Sequence, residues 1–404
     1  MRFTHTTIAE SPLGPDRIRL TGHVQYDRSS ARPETYWFDV PAEYQDSLSR
    51  SGDPWLACLT PLAATLGEPL TIDVPVDPLL LKNARSLVKI WKNWYPGMHL
   101  IPIEAPTMLP VDGDSPGKTG VFFSGGVDAF FTLLRHEDAS RSWDRTAIDD
   151  LIFVWGFDIP LDRRDGFERT RRAMELVAKE LGKNLVIVAT NLKTTRLQRE
   201  AEWGPVWHGS GIASVGLALE RRYAQLLIAS TYSYLNLAPW GSHPLTDPLL
   251  STARTRIVHD DPAYSRVEKT ELVARSDVAW RTLRVCWNSK SDRNCSDCNK
   301  CFRTMATLEV LGVLDRCTTF DRERFSADRL SRVFSADHND RILLLEVRDL
   351  ARQRGRGDIA AAIERSLSCS RRVRKWISLA RWLGHKPYVW RWELPLLQHL
   401  HVVL

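Results

Sequence analysis

The chain has 404 residues, with 55 Lys and Arg against 49 Asp and Glu, a formal net charge of +6 and 43% hydrophobic residues. That apolar content supports a sizeable core and argues against global disorder, and the length calls for two or three domains. No apolar run is long enough to cross a bilayer, and the opening "MRFTHTTIAESPLGPD" lacks the apolar centre of an export signal, so a cytoplasmic protein without a membrane span is expected.

Taken in chain order, residues 1–115 read as a small α+β domain. "RIRLTGHVQY" and "TYWFDV" alternate apolar and polar residues as half-buried strands do, and "LLLKNARSLVKIWKNW" has helical spacing. "PTMLPVDGDSPGKTG" is a linker rich in Pro, Gly and Asp. Residues 116–316 change rhythm. Short apolar runs such as "TGVFFS", "DLIFVWGFD", "NLVIVATN" and "QLLIAST" alternate with amphipathic stretches such as "FERTRRAMELVAKELG". That alternation predicts an α/β domain, a parallel sheet covered by helices on both faces, with ligands beyond the carboxyl ends of its strands. Residues 317–404 read as a helical C-terminal region.

The turn "VFFSGGVDAFF" lies at one such strand end. Gly125 and Gly126 permit backbone angles closed to other residues and let a ligand approach the chain. The helix starting near Val127 presents unpaired N–H groups and the positive end of its dipole, which suits phosphate. Ser124 adds a hydroxyl, and Asp128 is placed to hold a phosphate-bound Mg2+. A ligand-free strand-to-helix turn has the same sequence needs. Upstream, "GDSPGKT" imitates a Walker loop, but Gly113 and Gly117 enclose three residues rather than four and precede the strand instead of following it. Lys118 is expected at an exposed strand start.

Of the seven cysteines, Cys58, Cys317 and Cys369 are scattered, while Cys286, Cys295, Cys298 and Cys301 form "CWNSKSDRNCSDCNKCF" with spacing C-x8-C-x2-C-x2-C. Four thiolates at this spacing suit a closed tetrahedral Zn2+ site of structural type. An iron–sulfur cluster uses the same donors, and unligated buried cysteines are the third reading. Asn294 and Asp297 are placed to order the knuckle through local hydrogen bonds. "FRTMATLEVLG" predicts the following helix, stopped near Gly312.

The turn "SGGVDA" resembles the SGG-x-D-S signature of the PP-loop ATP pyrophosphatases, a HUP-type fold: Ser124, Gly125, Gly126 and Asp128 match, and Ala129 replaces the last serine. With the four-cysteine spacing downstream, the stretch from Lys118 to Gly312 is similar to the 7-cyano-7-deazaguanine synthases. "VWGFDIP" stands where that family has a segment near the nucleotide, and "RVEKTELVAR" is similar to the helix start after its substrate loop. "YSYLNLAPWGSHPLTDPLL" occupies the loop's place without its Tyr-Pro-Asp-Cys segment. The resemblance implies an AMP-forming ligase that uses ATP and Mg2+, with Zn2+ nearby, to activate a carboxylate for an amine donor. The nucleotide would meet Ser124, Gly125, Gly126, Val127, Asp128 and Asp158.

His208 in "WHGSG" and His243 in "GSHP" are candidates for proton transfer or substrate contact, or loop histidines bonded to backbone. Asp158 and Asp247 are candidates for Mg2+ or substrate, or surface and capping residues. From Arg352 to Glu393 eleven arginines and lysines face three acids, with Trp376, Trp382, Trp390 and Trp392 interleaved. This composition suits an RNA or protein partner, an anionic membrane surface, or a solvated helix packed by its tryptophans. An oligomer is compatible with all of this. Two other functions fit the same motifs: a non-catalytic nucleotide-binding zinc module, and a tRNA-modifying PP-loop enzyme with Cys58 or Cys317 as thiol carrier.

Overall fold

The computed structural model describes residues 1–27, 32–108, 117–138, 140, 144–286, 293–335 and 338–382, with side chains to 372. It comprises two compact units, Met1–Ser124 with Asp128–Ala263, and Gly125–Val127 with Tyr264–Leu404.

The first unit is built on one sheet. Its N-terminal part contributes β1 (Arg2–Ser11), β2 (Gly14–Gln25), β3 (Glu34–Pro41), α1 (Asp53–Leu66), β4 (Leu70–Ile72), α2 (Pro78–Trp94) and β5 (Ile103–Glu104). The α/β part follows as β6 (Lys118–Phe122), α3 (Val127–Glu137), β7 (Asp150–Trp155), α4 (Arg164–Glu180), β8 (Asn184–Thr190), α5 (Arg196–Glu200), α6 (His208–Leu217), β9 (Tyr223–Ala229) and β10 (Arg256–Asp260). The strand order is β10-β9-β6-β7-β8-β3-β2-β1-β4-β5. From β10 to β8 all neighbours are parallel, and β7 is buried at every position but Val154, as expected of a strand covered on both faces. The strand β6 starts at the exposed Lys118, whose ammonium pairs with Asp149 at 2.7 Å.

The sequence reading drew a boundary near residue 115. In the structure the strands on either side of it share the sheet, because β3 pairs antiparallel with β8 through Phe38↔Thr190 and Asp39↔Ala189. Arg17 reinforces the join, donating to Asp39 O at 2.7 Å and to Ile187 O at 3.1 Å. One apolar core runs through both parts, from Phe3, Phe38 and Trp55 to Val186, Leu226 and Ile257. Trp55 sits between Phe3 and Phe38 at 5.3 and 5.2 Å, its indole N–H donating to Thr6 Oγ1 at 3.0 Å. Local signals place the helices: Asp77 caps α2, accepting from Leu79 N and Leu80 N ahead of Pro78, and left-handed Gly67 ends α1.

The second unit is helical: α7 (Arg266–Val273), α8 (Asp277–Thr282), α9 (Asn299–Val310), α10 (Ala327–Leu330), α11 (His338–Gln353) and α12 (Gly357–Trp382). Ser265 and Glu268 form a reciprocal capping box at the start of α7. Helix α9 ends at Gly312, whose φ of 72° closes it. Because α11 packs against α12, α9 and α7, residues 264–316 group with the C-terminal helices rather than with the sheet. The side chains of Trp376, Trp382, Trp390 and Trp392 lie outside those described. No described helix is long and apolar enough to cross a membrane.

Candidate functional site

The strand β6 delivers its glycine turn at the carboxyl edge of the parallel strands. Gly125 has φ 76°, the left-handed conformation that glycine adopts without a Cβ clash, and its carbonyl accepts from Arg284 N at 2.8 Å. Helix α3 then starts at Val127, so Asp128 stands in its first turn, half-buried, with Ser124 and Gly126 also half-buried and Val127 enclosed. Ala129 is 5% exposed, on the face that α3 turns to the core.

A second group gathers at the same edge of the first unit, from segments far apart in sequence. Asp247 is fully buried. Its Oδ2 accepts from Ser242 Oγ at 2.6 Å and pairs with His259 Nδ1 at 2.7 Å, and its Oδ1 accepts from His243 N at 3.2 Å. A Cβ on Gly209 would stand 2.3 Å from Asp247 Oδ1, so only glycine lets α6 start against this carboxylate. The hydrogen bond to Asp247 places the His259 proton on Nδ1 and leaves Nε2 as the acceptor, the orientation used by acid–base histidines. His243 differs, since its Nδ1 accepts from Leu245 N at 3.0 Å and its ring stands edge-on to Trp94 at 4.9 Å. His208 follows a π-helical turn, Trp203–Trp207, and tilts against Trp203 at 4.8 Å. Its Nδ1 is buried without a hydrogen-bond partner. Although the residue keeps some accessible surface, the surrounding protein desolvates the ring and lowers its pKa to about 4.

Trp203 anchors the rest. Phe157 and Trp207 pack on it at 4.6 and 4.4 Å, and the Lys193 ammonium lies 4.2 Å over its ring. Burial lowers the pKa of Lys193, partly offset by the Asp158 carboxylate. Asp158 itself is exposed on the connection after β7. The structure therefore brings His208, His243 and Asp247 together and adds His259 and Lys193, which sequence reasoning missed. The available signal was positional: His259 lies in the last turn of pleat in β10, and Lys193 just beyond β8, where parallel sheets gather ligands.

In the second unit, Cys286, Cys295, Cys298 and Cys301 place their sulfurs within 4.8 Å of one another. The Cys286–Cys298 and Cys295–Cys301 separations are 3.9 and 3.8 Å. Four sulfurs at about 2.3 Å from a tetrahedral zinc stand about 3.8 Å apart, so the cluster can hold that ion. Asn294 orders the knuckle as expected: Oδ1 accepts from Val285 N and Cys286 N, and Nδ2 donates to Leu283 O. Asp297 instead pairs with Arg329 near α10. Ser296 takes φ 55° to turn the chain, and Cys298 N donates to Cys295 Sγ at 3.3 Å. Cys58 and Cys317 are buried, and burial raises both thiols, the latter to about 12, which leaves them poor nucleophiles.

No protein-family model matches this chain, no curated protein matches it, and no solved structure matches it.

Proposed function

We propose that the protein is an AMP-forming ligase of the PP-loop type, which activates a carboxylate with ATP and passes the acyl group to an amine. The observation that carries this reading is the turn Ser124–Asp128, a left-handed glycine at a strand end opening directly into a helix. Such a turn aims backbone N–H groups and a helix dipole at an anion. A carboxylate repels nucleophiles; attack of its oxygen on the α-phosphorus of ATP gives an acyl adenylate and releases pyrophosphate. The amine then adds to the acyl carbon and AMP departs. Negative charge grows on the pyrophosphate, and the donors at Gly126, Val127 and Ser124 are preorganised to take it up. Asp128, a half-buried carboxylate in the first turn of α3, fits Mg2+, an ion that neutralises phosphate charge. The Asp247–His259 pair supplies an oriented imidazole for removing the amine's proton. The four-cysteine site, filled with zinc, has a structural part. Exposed Asp158 is assigned to the nucleotide side only through the family resemblance.

Incubation of the full chain with ATP–Mg, ammonia and 7-carboxy-7-deazaguanine is expected to give AMP and pyrophosphate by chromatography. ADP as the sole nucleotide product overturns the mechanism. Gly126→Val puts a branched side chain where phosphate approaches and is expected to weaken ATP binding at least about tenfold in calorimetry. Unchanged affinity would place the nucleotide elsewhere.

A further inference from the structure

Lys193 is half-buried, yet among the described residues its ammonium makes no hydrogen bond and no ion pair. It lies 4.2 Å over the Trp203 ring. A cation withdrawn from water onto an indole face retains unsatisfied donors, because the ring engages only one side of the ammonium. Beside it, on the same indole, His208 has a buried Nδ1 with no partner. Buried polar atoms are normally paired, so an unpartnered imidazole nitrogen beside a half-buried ammonium on the same indole marks a place where something else completes the hydrogen bonding. Neutral imidazole can donate from one nitrogen and accept at the other, whereas ammonium only donates. Their shared complement is an anion with more than one oxygen. Phe157 and Trp207 pack on Trp203 and hold the indole on which Lys193 and His208 rest.

We infer that Lys193, held on Trp203 beside His208, is the binding group for the carboxylate of the ligand that this first unit accepts. A carboxylate fits better than a phosphate: the Asp158 carboxylate already acts on Lys193 and His208 from the connection after β7, so a second anion of low charge is favoured over a more highly charged one. The glycine turn at Ser124 already has the backbone donors that phosphate prefers. The assignment takes its meaning from the carboxylate-activation reading above, but its test needs no ATP and no turnover. A chain that forms no AMP and still passes this test would disprove that reading alone.

The probe is benzoate, with the uncharged isostere benzamide and inorganic phosphate as comparison ligands, titrated into the full chain and followed by calorimetry and ligand-detected NMR. Benzoate is expected to bind at least about tenfold more tightly than benzamide, the discrimination that a charge-assisted hydrogen bond supplies. Lys193→Met and Lys193→Gln should each abolish that preference without shifting thermal unfolding, and Lys193→Arg should keep most of it. Equal binding of benzoate and benzamide overturns the inference, as does no detectable benzoate binding at millimolar concentration. A preference that survives in both neutral variants does so too. Phosphate binding more tightly than benzoate, with the same dependence on Lys193, overturns the choice of carboxylate.

Discussion

At the scale of single residues, the environment of His208 has a consequence for stability. Its folded pKa is lowered to about 4 by burial, below the ordinary value near 6.5. Between those values the unfolded chain binds the proton and the folded chain does not. The contribution is fully present above the ordinary histidine pKa and is lost as the pH falls from about 6.5 towards about 4. The full effect is on the order of 3 kcal/mol. Denaturant titrations at pH 4.5 and 7.5 should show a smaller difference for His208→Leu than for the natural chain. An unchanged difference would mean that the ring is already hydrated. The same residue shows the limit of motif reading: "WHGSG" marked a histidine near a turn, while its lack of a partner depends on Trp203 and Lys193.

Among the elements, α1, α6 and β9 meet around buried carboxyl groups. Glu220 accepts from Ser49 Oγ at 2.7 Å and Ser51 Oγ at 3.0 Å, with buried Asp53 close by. Burial raises both acids, Asp53 strongly. Raised carboxyl groups act in the direction opposite to His208. Their protons stay bound in the folded chain above the ordinary carboxylate range, and stability falls as the pH rises through the raised values. Glu220→Gln keeps the serine contacts and removes one charge. It is expected to stabilise the chain more above neutrality than at pH 5. Chemical denaturation at pH 5 and 8 measures it, and an equal effect at both would refute the pairing.

The four-cysteine knuckle is the other element with a measurable consequence. It starts α9, whose Phe302 and Met305 are fully buried in the second unit. Removal of one thiolate breaks the tetrahedron, so Cys298→Ala should lower metal content from one zinc per chain and unfold the chain at a lower temperature. Elemental analysis of protein never exposed to chelator decides the first point. Iron with visible absorbance would change the ion, and no metal at all would leave four packed thiols.

At the scale of the whole molecule, the first unit depends on a sheet that does not respect the expected boundary at residue 115. Removing residues 1–108 would strip β3 from β8, exposing a strand edge together with the apolar surface under Phe38 and Trp55. The shortened chain is expected to be insoluble or aggregated in sedimentation. A well-folded monomer of 109–404 would show that the two sheet halves fold independently. Composition could not reveal this join, since "TYWFDV" shows only that one face is buried and not which strand covers its edge.

The sequence by itself determined what short range decides. The glycine turn at Ser124–Asp128, the cap of α7, the stop of α9 at Gly312 and the thiol knuckle, Cys286 to Cys301, all need residues close together in the sequence, and backbone sterics and local hydrogen bonds fix them without help from the rest of the chain. Only the tertiary structure decided which distant segments meet. Lys193, His208, Asp247 and His259 come from four stretches of chain with no common spacing. They converge because parallel strands carry their carboxyl ends to one edge whatever the length of chain between them. The pairing of β3 with β8 was likewise settled by sheet-edge hydrogen bonding and burial of a common core, which act between residues that a local pattern does not connect.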